Sequence, residues 1–216
     1  MPQKVTIKTS DGFEIVGDFY PSSGDKFAIL LHMMPATKAS WAEFALKLVA
    51  AGYTCLAIDE RGHGESTMGG TLDYKTFGEK EQQSKIHDVE AAYDYLEEKG
   101  GKASTTVLIG GSIGANLAIQ FLSEHSNVRR AVALSPGLNY RGVKTDTCIA
   151  SLARDQYLLL IASDDDTHTA YESSQRLHEL NPGQTTLLLK SGVGHATDIL
   201  SNDPTIVDVI IAWLAA

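Results

Sequence analysis

Thr106-Val107-Leu108-Ile109-Gly110-Gly111-Ser112-Ile113-Gly114-Ala115 is the stretch from which the rest of this chain is read. A short apolar run without a polar break suits a strand covered on both faces, as in a parallel sheet. Residues 113–123 continue at helical spacing. The junction is therefore strand, tight turn, helix start. Gly110-Gly111-Ser112-Ile113-Gly114 matches G-x-S-x-G, a sharp turn that exposes a serine oxygen and tolerates little bulk on either side. The helix start also points free amides at the turn, ready for a negative oxygen. The blander reading is a serine that caps a helix or lines a phosphate site. The dinucleotide fingerprint G-x-G-x-x-G is not matched here, and no P-loop lysine follows.

Working outward, similar apolar runs recur at 27–31, 54–58, 131–134, 157–162 and 186–189. Helical patterns lie between them at 41–50, 84–99, 113–123, 171–180 and 204–214. The first 20 residues differ. Val5 and Ile7, then Phe13 and Ile15, alternate around Asp11-Gly12, which is a hairpin signal. Right-handed crossovers then predict a three-layer α/β/α sandwich with a mostly parallel sheet and an N-terminal antiparallel hairpin. No Pro/Gly/Ser linker divides residues 1–216, so one domain is expected. Ligands in such sheets bind outside the carboxyl ends of the strands.

Composition narrows the function. The 216 residues carry 18 Lys plus Arg and 27 Asp plus Glu, a formal charge of −9. That balance argues against nucleic acid and anionic membrane as partners. Hydrophobic residues at 43% and charged residues at 21% are those of a globular chain. The two cysteines, Cys55 and Cys148, cannot build a four-thiolate zinc site, and Cys55 reads as a buried small hydrophobe in a reducing compartment. With no signal segment and no long apolar stretch visible, a cytoplasmic location is expected.

A serine nucleophile needs a base and an orienting acid. His195, in Gly192-Val193-Gly194-His195, follows the last strand and lies after Ser112 in the chain, as one hydrolase order requires. The acid should follow the 157–162 strand, where Asp164, Asp165 and Asp166 stand together. Mutual repulsion among them should raise some of their pKa values. Spacing alone leaves all three open. His32-Met33-Met34-Pro35 follows the 27–31 strand. Backbone amides of Ile113 and of the 33–34 turn are a natural pair to hold an oxyanion. His32 reads as a brace for that loop, since no further metal ligands accompany it. Asp59-Glu60-Arg61-Gly62-His63-Gly64-Glu65-Ser66 reads as a turn locked by Arg61 and Asp59.

Taken together, these five segments resemble the α/β-hydrolase superfamily, in the family's order and over nearly the whole chain. The resemblance implies Ser112 as nucleophile, His195 as base, and Asp166 as acid, five residues beyond Ile161. It implies Met34 and Ile113 as the oxyanion amides. Met33 stands where glycine is usual and narrows the acyl site, and Ala115 replaces a frequent glycine. Only 20 residues separate Ser135-Pro136 from Tyr157, too few for a cap domain. The chain is similar to compact, lidless members, small carboxylesterases and the dienelactone-hydrolase-like group. This implies a serine esterase for small, short-acyl esters, without metal or organic cofactor. A thioesterase or peptidase with the same triad, and a non-catalytic binding protein on the fold, are the alternatives. The segments 67–77 and 137–149 are expected to wall the pocket.

Overall fold

The computed structural model describes residues 2–216. In chain order its strands are β1 (Gln3–Lys8), β2 (Glu14–Tyr20), β3 (Lys26–Leu31), β4 (Tyr53–Asp59), β5 (Thr106–Gly111), β6 (Arg130–Leu134), β7 (Asn139–Tyr140), β8 (Val143–Lys144), β9 (Tyr157–Ser163) and β10 (Thr185–Lys190). The helices are α1 (Ala42–Ala50), α2 (Glu79–Gln83), α3 (Ile86–Glu98), α4 (Ile113–Glu124), α5 (Asp146–Ala150), α6 (Ala170–Leu180), α7 (Asp198–Asn202) and α8 (Thr205–Ala215).

Eight strands form one sheet in the order β1-β2-β4-β3-β5-β6-β9-β10, and β7 and β8 pair separately. β1 and β2 form the expected hairpin, with Ile7 opposite Ile15. β2 runs antiparallel to β4. From β4 to β10 every pairing is parallel. Alternate residues explain the unbroken apolar runs, because both faces are covered. Ile29, Leu56, Leu108 and Leu160 pack with Val89, Leu96 and Phe121 on one face. Leu30, Ala57, Ile109 and Ile161 pack with Trp41, Leu48 and Ile210 on the other. Each large aliphatic side chain buried in this way contributes about 1.5–3 kcal/mol before the entropy of ordering is subtracted.

The helix expected over 84–99 is α3, and the short α2 lies just ahead of it. Lys85 lies between them, fully buried, with its ammonium 3.0 Å from Glu60 Oε2. At the C-terminus Asp203, just before Pro204, caps the start of α8. Its Oδ1 accepts from the Thr205 amide at 3.2 Å and the Thr205 hydroxyl at 2.5 Å. Among the described residues no helix is long and apolar enough to cross a membrane.

Because the parallel strands share a direction, their carboxyl ends lie along one edge. The loops after Leu31, Asp59, Gly111, Leu134, Ser163 and Lys190 therefore gather on one rim.

Candidate active site

The turn between β5 and α4 is tight. Ser112 sits at φ +54 and ψ −118, in a region that residues with a Cβ rarely occupy. Its amide donates to Leu134 O at 2.8 Å, which fastens the turn to β6. The flanking glycines have no room for side chains. A Cβ on Gly110 would stand 2.1 Å from Gly114 O, and one on Gly114 would stand 2.5 Å from Leu31 O. The serine oxygen is thus presented at the rim by backbone packed too closely for other residues.

The three aspartates after β9 take different partners. Asp164 accepts from the Ser191 hydroxyl at 2.8 Å and the Gly192 amide at 3.2 Å. Asp165 accepts from the Ser163 hydroxyl at 2.5 Å and the Gly194 amide at 3.0 Å. Asp166 faces His195, with Oδ2 2.5 Å from Nδ1. Nδ1–H then donates to the carboxylate, which leaves Nε2 as the free ring nitrogen. At Asp165 and Asp166 the pKa shift runs opposite to the expected rise. The Ser163 hydroxyl and the Gly194 amide hold Asp165 below the ordinary value. Burial alone would raise Asp166, but hydrogen bonds from His195 and the His168 amide outweigh it and bring that carboxyl down as well. Donors, not neighbouring acids, set the field at this turn.

Ser112, His195, Met34 and Ile113 line one cavity of about 440 Å³. Ser112 and His195 share its wall without a hydrogen bond between their side chains. Asp166 lies behind His195, with its side chain fully buried. The structure thus gathers every expected site residue at one rim. A larger hollow of about 720 Å³ lies between α1 and the α7–α8 turn, but none of these residues lines it. Volume is therefore a poor guide here, and convergence of polar groups is the better one.

Three nearby features were not singled out as residues in the sequence reading. The Ser135 hydroxyl, buried at φ +53, accepts from the Ala196 amide at 2.9 Å and so fixes the residue after His195. His168 lies beside the dyad. Its ring centroid is 4.6 Å from that of His195, and its amide donates to Asp166 Oδ1 at 2.8 Å. The β7–β8 hairpin brings Asn139, Tyr140 and Arg141 into the cavity wall. Asp-x-His was a visible signal for His168, since the amide two residues on is the usual partner of a turn aspartate. The hairpin and Ser135 gave no local signal. Of the two segments expected to wall the pocket, 137–149 contributes this hairpin. Segment 67–77 instead lines a neighbouring hollow, with Tyr74, Lys75 and Phe77.

His32 braces its loop as expected. Its Nδ1–H donates to Met33 O at 2.9 Å, and its Nε2 accepts from the Glu60 amide at 3.1 Å. The lock after β4 differs from the expectation. Arg61 does not pair with Asp59. It pairs with Asp88, with Nη2 at 2.8 Å, and with Asp11, with Nη1 at 2.6 Å, both distant in sequence. Asp59 instead accepts from Lys38 Nζ at 2.8 Å and the Glu65 amide at 2.9 Å. His32, Glu60 and His63 bring ligand-type atoms within 4.8 Å of one another, as do Asp166, His168 and His195. In the first group Lys85 already neutralises Glu60, and His32 has both ring nitrogens engaged, so a hydrogen-bonded brace accounts for it better than a cation site.

An eight-stranded sheet with one antiparallel arm and a serine elbow after β5 defines an α/β-hydrolase. The family model described as "Serine aminopeptidase, S33" matches residues 25–157, more than half of the chain, and the chain belongs to that family. The matched stretch contains Ser112 and ends before Asp166 and His195. An esterase of Pyrococcus furiosus is 25% identical with a TM-score of 0.81, over 100% of this chain and 90% of that one. The esterase RhEst1 of Rhodococcus sp. ECU1013 is 18% identical with a TM-score of 0.79, over 99% and 98%, and shows the fold alone. A Synechocystis protein with the provisional name non-heme chloroperoxidase is 29% identical over 111 residues. That match covers 50% of this chain and 36% of the relative, so the chain spans about a third of the curated relative's length.

Proposed function

We propose that this chain is a serine hydrolase that cleaves carboxylic esters through an acyl-enzyme. One observation carries the reading. His195 is held by a buried Asp166 at 2.5 Å, and its other nitrogen is free in the cavity where strained Ser112 stands. A hydroxyl becomes nucleophilic when a base takes its proton, and the base works best when a carboxylate fixes its tautomer. Ser112 Oγ attacks the ester carbonyl while His195 Nε2 takes the proton. The amides of Met34 and Ile113 hold the oxyanion, each worth about 3 kcal/mol by analogy with other oxyanion holes. Collapse of the intermediate expels the alcohol, which receives the proton from His195. Water, deprotonated by His195, then attacks the acyl-serine and releases the acid.

The short segment after β6 forms only the β7–β8 hairpin and α5, so the cavity has no helical cap above it. That favours small, soluble esters over long acyl chains. The name of the Pyrococcus relative supports an ester rather than an amide bond. The test is hydrolysis of p-nitrophenyl acetate by wild type and Ser112→Ala. The variant should lose about 10³-fold or more in kcat with its fold retained. Equal rates in the two proteins would remove Ser112 from the mechanism.

A further inference from the structure

The tip of the β7–β8 hairpin puts one arginine where two hollows meet. Arg141 lines the Ser112 cavity and also a neighbouring hollow of about 290 Å³. Met34 is the other residue common to both. Pro35 and Phe77 give the second hollow an apolar side, while Lys75 and Gln82 add polar groups.

Gln82 is 2% exposed, and its Oε1 has no hydrogen-bond partner. Its Nε2 has only the Met34 sulfur, at 4.0 Å. Oε1 is an acceptor and cannot bind a carboxylate, so what this buried amide offers an anion is its Nε2–H, which has no oxygen partner. Among the described residues no acidic side chain lines either hollow, although the chain as a whole has 27 acids against 18 bases. Glu79 packs beside Gly142 from α2 without entering either wall. The hairpin is also fixed. Asn116 Nδ2 donates to Val143 O at 2.8 Å, the Gly142 amide donates to Asn139 Oδ1 at 2.8 Å, and the Tyr140 hydroxyl donates to His168 O at 3.2 Å. Arg141 therefore stands on a held backbone, and its fork suits a carboxylate.

We propose that this hollow is a subsite for a carboxylate carried on the acyl part of the substrate, so that half-esters of short dicarboxylic acids are the preferred class. The inference rests on the ester-hydrolase reading and names a substrate for it. Hydrolysis then converts a monoester anion and water into an alcohol, a dicarboxylate and one proton.

The released proton allows a pH-stat assay of monoethyl glutarate against ethyl pentanoate. Wild type should favour the half-ester in kcat/KM by about tenfold or more, the scale of one charge-assisted pair. Arg141→Gln should erase the preference, and Arg141→Lys should restore part of it. Arg141→Glu should invert it in favour of ethyl 4-aminobutyrate, a reversal that a merely structural role would not produce. A ratio near one in wild type, or one unmoved by Arg141→Glu, overturns the proposal. If neither ester is turned over, the hydrolase reading fails instead. Calorimetric binding of glutarate then decides the subsite: binding lost in Arg141→Glu supports it, and no binding by wild type overturns it.

Discussion

Two groups of acids and histidines sit at strand ends of the same sheet, and only one of them is open. After β4, Asp59, Glu60 and Arg61 are buried with Lys38, Lys85 and Asp88. His63 stacks on Tyr74 at 3.9 Å between ring centroids. After β9 and β10, Asp166 and His195 form a comparable pair, but one face of His195 looks into a cavity. The residue types overlap and the roles diverge. A histidine walled in by cations and aromatic rings is a structural piece, whereas one held from behind and free in front can move a proton.

The strongest way to break this contrast is at the open pair. Asp166→Asn should lower kcat by about 10²–10⁴-fold, because the wrong tautomer then faces Ser112. Asp164→Asn and Asp165→Asn should stay within about tenfold of wild type, since they lose only loop contacts. Steady-state rates for the three variants decide which carboxylate matters.

The closed group should answer in stability instead. Lys85→Met leaves Glu60 charged and without its partner in the interior. That should cost about 3–5 kcal/mol, read as a lower urea midpoint at unchanged slope.

A pH series sharpens the same point. Burial pushes the His63 imidazole down to about 4, and the Lys85 ammonium adds to the shift. The folded form thus resists protonation that the unfolded chain accepts near 6.5. Its contribution is complete above that value and is lost as pH falls through about 4, a change of about 3 kcal/mol. His63→Gln should flatten the urea-derived stability curve between these values. An unchanged slope would show that His63 takes up protons alike in the folded and unfolded chains.

Asp11→Asn should have the smallest effect. Burial would raise the Asp11 carboxyl, but Arg61 and Thr9 donate to it and bring it to about 2. Its contribution is present above the ordinary carboxylate value and disappears as pH falls through about 2. Because the pair is partly exposed and Arg61 keeps Asp88, the loss at neutral pH should be about 1 kcal/mol or less, measured by thermal midpoint.

The same contrast marks what could be read from the amino-acid order. The sheet was legible because strands buried on both faces leave unbroken apolar runs, and the elbow because its glycines are local and obligatory. Ser112 and His195 announced themselves by position after a strand. Asp166 stood out from Asp164 and Asp165 only through the family resemblance, since adjacent residues on one turn look alike without their partners. Arg61 misled because its partners, Asp11 and Asp88, are 50 and 27 residues away. Ser135 gave no signal, and Arg141 was covered only by the expectation that 137–149 walls the pocket, since their meaning comes from which loops the sheet edge brings together. The burial of Lys85 was hidden for a related reason, since its partner Glu60 is 25 residues away.

The most direct test of the central claim is covalent. A diethyl phosphoryl group from paraoxon should modify the folded protein at one site, located by mass spectrometry on Ser112, with activity lost in step. His195→Ala should slow that labelling by about 10²-fold or more, as expected of a base that activates the oxygen. Labelling of another residue, or none on a folded active protein, would contradict the assignment of Ser112 as the nucleophile.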